Sequence, residues 1–289
     1  MAKSSDAIGN YLSLIKFSHT IFALPFALIG FFLAVELTPA ELNWKLLGLV
    51  VLCMVFARSA AMAFNRYTDR RIDLLNPRTA VREIPSGVIP APKALGFVIL
   101  NSVLFIVCTY FINPMCLALS PVALLVVLGY SYTKRFTALC HLVLGLGLSL
   151  APIGAYLAVT GEFAWMPLLF SFTVLCWVSG FDIIYALQDA DFDRDNRLHS
   201  IPAMLGPKRA LLLSKILHLM AGSFIILAGW YGQMSWWYWI GASIFNALLV
   251  YQHTLVRPND LSKVNLAFFT TNGIASLVFS IFVILALYA

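Results

Sequence analysis

Apolar residues run along the chain in nine long stretches, which are separated by short polar or proline-containing segments. The stretches cover about residues 14–36, 44–65, 94–112, 115–132, 141–160, 163–187, 209–231, 234–256 and 264–288. A helix needs about 20 apolar residues to cross the hydrocarbon layer of a membrane, and most of the stretches reach that length. The pattern therefore predicts an all-α integral membrane protein with nine transmembrane helices.

Positively charged residues are concentrated in alternate connections between these stretches. The cations of these connections are Arg66, Arg70, Arg71, Arg78, Arg82, Lys93, Lys134, Arg135, Arg194, Arg197, Lys208, Arg209, Arg257 and Lys263. The opposite connections hold almost none, with Lys45 as the exception. Because lysine and arginine are enriched in cytoplasmic loops, this distribution predicts a multi-pass protein of the cell (inner) membrane with a cytoplasmic N-terminus.

The composition excludes several other classes of protein. Of 289 residues, 61% are hydrophobic and 11% are charged, whereas a soluble domain is about 25% charged. The net charge of +6 is confined to a few loops, so the lipid bilayer is the expected partner and nucleic acid is not. Little sequence remains for a soluble domain, which predicts one membrane domain over residues 1–289 with cytoplasmic cap loops at about 66–93 and 188–208. The first stretch lacks a small-residue cleavage site and is interpreted as a retained helix.

Polar residues inside the apolar stretches form two stripes with the same spacing. The second stretch and its extension carry Arg58, Asn65, Asp69 and Asp73, and the sixth carries Asp182, Asp189 and Asp193. Steps of seven and four residues keep each stripe on one face of a helix. Because the first three residues of each stripe are offset by 124 positions, an internal parallel repeat with a site between the halves is our hypothesis.

Carboxylates and an amide at the end of two membrane helices suggest a divalent metal. Ionised groups near hydrocarbon are costly, and facing carboxylates are expected to repel each other unless a cation lies between them. Oxygen ligands suit Mg²⁺ or Mn²⁺, and Mg²⁺ usually shares its coordination with phosphate oxygens of a substrate. Arginine and lysine residues nearby could hold the same phosphates in bidentate contacts. The stripes therefore predict a cytoplasmic site for a phosphorylated ligand and metal ions.

Simpler interpretations of these residues exist. The acids could form surface ion pairs with the basic loops, Arg58 could snorkel, and Arg58 could pair with Asp182 in a structural role. The five histidines show no ligand spacing and are interpreted as structural. The five cysteines form no C-x-x-C pair and fit no metal or disulfide framework, so they are interpreted as buried thiols.

Several motifs resemble those of the UbiA superfamily of intramembrane aromatic prenyltransferases. Residues 65–73 are similar to its first aspartate motif N-x-x-x-D-x-x-x-D, residues 78–82 to its R-T-x-x-R loop, residues 130–135 to its basic signature, and residues 182–193 to its second aspartate motif. One departure is Glu83, since members commonly have proline after the arginine that matches Arg82. The resemblance covers nearly the whole chain and implies the family fold, nine helices around a central cavity.

The resemblance also implies a reaction and roles for individual residues. Members transfer a polyprenyl group from polyprenyl diphosphate to an aromatic acid by diphosphate ionisation and electrophilic aromatic substitution, with Mg²⁺ that Mn²⁺ could replace. The matching metal positions are Asn65, Asp69, Asp73, Asp189 and Asp193, of which the four aspartates are the expected catalytic residues. The matching diphosphate positions are Arg78, Arg82, Lys134 and Arg135. Arg58 matches a position that orients the acceptor carboxylate, and Asp182 and Tyr185 match polar pocket positions.

The identity of the aromatic acceptor stays open between two acids. The chain resembles the 4-hydroxybenzoate branch, which implies ubiquinone biosynthesis. Residues 16–27 also resemble a variant associated with menaquinone made through futalosine, which implies a dihydroxynaphthoate acceptor. From other classes, a cation-coupled transporter or another membrane lipid-phosphate transferase is the alternative. A CDP-alcohol phosphatidyltransferase is disfavoured, because its motif begins with Asp-Gly and this chain has no such pair.

Overall fold

The structure, a computed structural model, describes residues 7–15 and 22–289. Its first six helices are α1 (Ala7–Leu14), α2 (Leu24–Leu37), α3 (Trp44–Leu75), α4 (Ala91–Ile112), α5 (Pro114–Thr133) and α6 (Cys140–Thr160). The others are α7 (Trp165–Ala186), α8 (Ala190–Asp195), α9 (Ile201–Tyr231), α10 (Trp236–Leu255) and α11 (Asn272–Tyr288). A 3₁₀ turn (Leu187–Asp189) joins α7 to α8, and a π-helical segment (Leu266–Thr271) leads into α11.

The prediction of a helical membrane protein is confirmed, and within residues 7–15 and 22–289 seven helical segments are long and apolar enough to cross a bilayer. These are α3, α4, α5, α6, α7 with its extension to Asp195, α9, and α11 with its π-helical segment. Of the two remaining predicted spans, α2 is shorter, with 14 residues, and α10 has 20. Residues 16–21, which include His19 and part of the first predicted span, lie outside the described residues.

Both predicted cap loops are helical in part. Helix α3 continues past its apolar part to Leu75, because no proline or glycine interrupts it before Asn76-Pro77. A residue before proline disfavours the helical conformation, and Asn76 is extended, with φ −94° and ψ 115°. Residues 187–195 form the 3₁₀ turn and α8, and α9 begins at Ile201 with a kink at Gly206, where φ is +74°. The loop between α3 and α4 is therefore restricted to residues 76–90.

Asparagine side chains set several helix ends. Asn43 accepts hydrogen bonds from the backbone N–H groups of Lys45 and Leu46 and caps the start of α3. Asn113 lies between α4 and α5, where it caps α5 at Cys116 N and donates to the Leu157 carbonyl of α6. These bonds satisfy backbone groups that lipid could not.

The core surrounds α7, whose side chains pack between α6 and α9. Trp177 of α7 contacts Phe26 and Phe245, and its indole N–H donates to Asn272 Oδ1 over 2.9 Å. A Cβ atom on Gly30 would lie 2.0 Å from the Pro152 carbonyl oxygen, so glycine is what allows α2 to approach α6. Small residues permit such close packing in membranes, and the packing fixes α7 as the wall that carries the second aspartate stripe.

Candidate active site

A cavity of about 1330 Å³ opens between α3, α5, α6 and α7. Every site residue predicted from the sequence lines it except Asp193. Its deep part is apolar, with Leu144, Leu148 and Phe181 among the lining side chains. Its mouth, at the polar end of α3 and α7, carries the aspartates and the basic residues. The two predicted stripes therefore face one chamber.

At the mouth, each aspartate of the two motifs is paired with a basic side chain. Arg135 Nη2 lies 3.0 Å from Asp69, Arg82 Nη1 lies 2.8 Å from Asp73, and Lys134 Nζ lies 2.6 Å from Asp193. The fourth pair joins Arg78 to Asp189. A separate basic side chain therefore offsets the charge of each acid, in the way that was expected from the sequence of a metal cation.

The 76–90 loop closes part of the mouth. The Asn76 amide donates to Asp189 Oδ1 over 3.0 Å, and Arg78 donates to the Tyr185 hydroxyl over 3.0 Å. The Arg78 guanidinium also lies over the Tyr185 ring, 5.3 Å from its centre. Burial opposes the Arg78 charge, but the hydrogen bond and attraction from Asp189 outweigh it and raise the pKa of Arg78. This residue therefore stays charged where it faces the cavity.

The donor set of the mouth suits a magnesium ion that is shared with a substrate. Asn65 Nδ2 donates to Asp69 Oδ2 over 3.2 Å, so the amide and the carboxylate of the first motif lie together. Within the described part of the chain, no three His, Cys, Asp or Glu side chains lie close enough to hold a metal by themselves. One or two carboxylates per ion, completed by phosphate oxygens, is the usual Mg²⁺ arrangement.

Comparison with known proteins decides the family. Residues 23–274 match the UbiA prenyltransferase family. The chain belongs to this family. The 4-hydroxybenzoate octaprenyltransferase of Photobacterium profundum is 32% identical over 254 residues, which cover 86% of this chain and 85% of the relative. That of Tolumonas auensis is 30% identical over 223 residues, covering 77% and 78%. The chain is therefore a prenyltransferase, and the transporter and lipid-phosphate alternatives fall away.

Solved UbiA structures agree with the fold. The apo structure of a UbiA homolog from Aeropyrum pernix K1 has a TM-score of 0.79 and 30% identity, covering 92% of this chain and 95% of that one. A UbiA homolog from Archaeoglobus fulgidus, solved with DMAPP and Mg²⁺, has a TM-score of 0.74 at 20% identity, covering 97% and 99%. The second comparison concerns the fold alone.

Several residues that line this UbiA-family cavity were not among the predicted site residues, and His141 and Arg66 are two of them. His141, interpreted as structural, lines the cavity, and its Nδ1 lies 2.6 Å from Asp182 Oδ2. Arg66, counted above only as a loop cation, is 5% exposed and lines the cavity beside the mouth. Arg66 could have been predicted from its position directly after Asn65. The contact of His141 with Asp182 joins residues 41 positions apart, so no local sequence pattern predicts it.

The departure at Glu83 has a structural counterpart. Ser13 of α1 donates a hydrogen bond to Glu83, and both residues line the cavity. Leu14 of α1 packs in one apolar cluster with Ile84 and Ile89 of the loop. The glutamate therefore ties the loop over the mouth to the N-terminal helix, a contact that proline could not make.

Proposed function

We propose that this enzyme transfers a polyprenyl group from polyprenyl diphosphate to an aromatic acid, either 4-hydroxybenzoate or a dihydroxynaphthoate, in ubiquinone or menaquinone biosynthesis. The supporting observation is the cavity itself, whose mouth holds paired acids and bases and whose depth is apolar. The names of the curated relatives favour 4-hydroxybenzoate as the acceptor. The dihydroxynaphthoate remains a candidate acceptor, because the sequence of residues 16–27 resembles the menaquinone variant.

At the mouth, the residues of this chain are suited to bind a metal diphosphate. Asn65, Asp69, Asp73, Asp189 and Asp193 are the proposed Mg²⁺ ligands, and Mn²⁺ is the proposed substitute. Bound metal would stabilise the negative charge that develops on the leaving diphosphate. The four cations that now hold the aspartates, Arg78, Arg82, Lys134 and Arg135, would exchange those carboxylates for diphosphate oxygens. Such donors, fixed where charge develops, are the main electrostatic contribution to catalysis.

Deeper in the cavity, apolar walls suit an allylic carbocation. Leu144, Leu148 and Phe181 exclude water, which would otherwise convert the cation to an alcohol. Arg58 lines the same cavity two helical turns below Asn65, and we assign it the acceptor carboxylate. The hydroxylated ring of the acceptor then attacks the cation without a protein nucleophile.

The membrane arrangement belongs to the same proposal. We place α2 and α10 across the bilayer with the seven longer helical segments, which gives nine spans, a cytoplasmic N-terminus and a site that faces the cytoplasm. The cations around the mouth, including Arg78 and Lys134, support this orientation by the positive-inside rule.

The test is a direct assay of the purified full-length enzyme. It is incubated with Mg²⁺, octaprenyl diphosphate and, separately, 4-hydroxybenzoate or a dihydroxynaphthoate, and products are identified by mass. We expect one acceptor to be prenylated and EDTA to stop the reaction. Absence of any prenylated acid, or full turnover after chelation, would contradict the proposal.

Arg58→Ala should raise the KM of the aromatic acid and leave that of the prenyl diphosphate nearly unchanged. A hydrogen bond to a charged group contributes about 1.5–3 kcal/mol, which corresponds to a change of about 10–150-fold. Steady-state kinetics with each substrate varied in turn measure the difference. A change confined to the prenyl diphosphate would place Arg58 in the phosphate site instead.

Arg82→Ala should slow prenyl transfer and raise the share of prenyl diphosphate that is lost as prenyl alcohol. The residue joins the 76–90 loop to Asp73, so its removal loosens the cover of the mouth and admits water. Product ratios by mass spectrometry measure the share of prenyl diphosphate that is lost as alcohol.

Hydrogen exchange over residues 76–90, with and without Mg²⁺ and a non-cleavable diphosphate, should show that the ligand orders the loop. If hydrogen exchange of the loop is the same with and without ligand, and Arg82→Ala turns over normally, the loop only connects α3 to α4 and does not cover the mouth.

A further inference from the structure

Transfer of a prenyl group to an aromatic ring ends with the loss of a proton from the ring carbon. This inference rests on the proposed function and concerns the base that takes that proton. The four aspartates paired with basic residues at the mouth are unsuited, because they are the proposed metal ligands. The base should be a free carboxylate oxygen in the deeper part of the cavity, beside the ring.

Asp182 occupies such a position. It precedes Asp189 by seven residues on nearly the same face, which places it about 10 Å deeper along the helix axis. It lines the cavity near the apolar side chain of Phe181. Its Oδ2 is bound to His141 at 2.6 Å, while its side chain remains 21% exposed. The carboxylate is therefore both anchored and accessible.

The hydrogen bonds of His141 determine which ring nitrogen carries the proton. The backbone N–H of Ile201, the first residue of α9, donates to His141 Nε2 over 3.3 Å. Nε2 is therefore an acceptor without a proton, and the proton of the neutral imidazole is on Nδ1. Nδ1–H then donates to Asp182, which acts as the acceptor.

The imidazole is also buried, since His141 is 3% exposed and both of its ring nitrogens have hydrogen-bond partners. It thus bridges the start of α9 and the carboxylate on α7. A partly buried carboxylate that faces apolar walls keeps one orientation when such a donor holds one of its oxygens.

We infer that Asp182 accepts the proton lost by the acceptor ring and that His141 is the positioning residue that orients its carboxylate. The ring carbon forms its bond to the first prenyl carbon as the diphosphate leaves. The electron pair of the C–H bond at that same carbon then returns to the ring, and the proton moves to Asp182. His141 keeps its Nδ1 proton throughout, and Asp182 later gives its proton to water at the mouth.

The test compares His141→Leu with His141→Gln. Leucine removes both hydrogen bonds, whereas the glutamine amide can donate to Asp182 and accept from Ile201 N–H. The acceptor is the acid that the wild-type enzyme prenylates, used with hydrogen or with deuterium at the prenylated carbon. The KM of prenyl diphosphate and the thermal stability of each variant are measured alongside.

We expect His141→Leu to lower kcat about 10–100-fold, a large part of what a general base contributes, with the KM of prenyl diphosphate unchanged. Turnover of the wild-type enzyme should be the same with both isotopes, and that of His141→Leu should be slower with deuterium. His141→Gln should restore most of the rate. Asp182→Asn, which retains a hydrogen-bond acceptor but cannot take the proton, should lose turnover while still binding prenyl diphosphate.

Other results would overturn the inference. Equal rates with both isotopes in every variant would assign the proton to another acceptor, such as the released diphosphate. Loss of activity in His141→Gln equal to that in His141→Leu would make the histidine structural. If His141→Leu does not fold, full activity of Asp182→Asn still refutes the inference. Failure of the wild-type enzyme to prenylate either acid would instead refute the proposed function.

Discussion

Asp189→Asn is expected to lower the rate of prenyl transfer by about 10²–10³-fold, the effect of removing one group that stabilises developing charge. The Asp189 carboxylate accepts hydrogen bonds from Asn76 and Arg78 and faces the cavity. The asparagine amide keeps the size of the side chain but removes the charge that a metal ion needs. Initial rates over a Mg²⁺ titration measure the loss, and the half-saturating Mg²⁺ concentration should rise with it.

The same substitution at Asp191 is the matched control. Asp191 lies two residues further on, but its side chain is 92% exposed and its partner is Arg194 of the same helix, at 3.1 Å. Surface pairs of this kind contribute about 0–1 kcal/mol to stability, so Asp191→Asn should keep wild-type activity and Mg²⁺ dependence. Similar losses in both variants, or an unchanged Mg²⁺ titration in Asp189→Asn, would remove Asp189 from the metal site.

Lys134→Met should strongly destabilise the metal-free enzyme. Asp193 is fully buried, and Lys134 Nζ lies 2.6 Å from it, so the substitution leaves a buried carboxylate without its cation. Breaking a buried pair costs about 3–5 kcal/mol. Because the Lys134 side chain is 35% exposed, we expect the lower end of that range. Thermal unfolding in detergent with EDTA measures the effect.

A second substitution separates charge from packing. Lys134→Met combined with Asp193→Asn should regain most of the lost stability, because the buried side chain at position 193 is then an uncharged amide. Lys208→Met, the same change at an exposed position of α9, should alter stability little. A double variant as unstable as Lys134→Met alone would show that the lysine acts through its packing.

The shared faces of the stripes could be predicted from the sequence, because steps of seven and four residues are properties of a single helix. Arg58, Asn65 and Asp69 were expected on one face, and all three line the cavity. The partners of these residues could not be predicted in the same way. Arg78 meets Asp189 across 111 positions, and such pairs depend on how α3, α7 and the loop between α3 and α4 pack.

Helix ends were predicted less well than helix positions. The predicted second span ends at residue 65, where the apolar pattern stops, but α3 continues to Leu75. The end of the apolar pattern shows where contact with lipid ends. The helix itself ends at Asn76-Pro77, because a residue before proline disfavours the helical conformation. The first aspartate motif, predicted on an extension of the second span, is carried by α3 almost to its end.

The one-to-one pairing of acids and bases at the mouth has a consequence for selectivity. A free divalent ion must compete with Arg78, Arg82, Lys134 and Arg135 for the aspartates, and a free diphosphate must compete with the aspartates for the same four cations. When metal and diphosphate enter as one complex, each aspartate exchanges a basic side chain for the metal ion, and each basic side chain exchanges an aspartate for the diphosphate. No charged side chain is then left without a partner of opposite charge. The mouth is therefore expected to bind free Mg²⁺ weakly and free inorganic anions weakly. It should bind the magnesium complex of a diphosphate more tightly than either component alone.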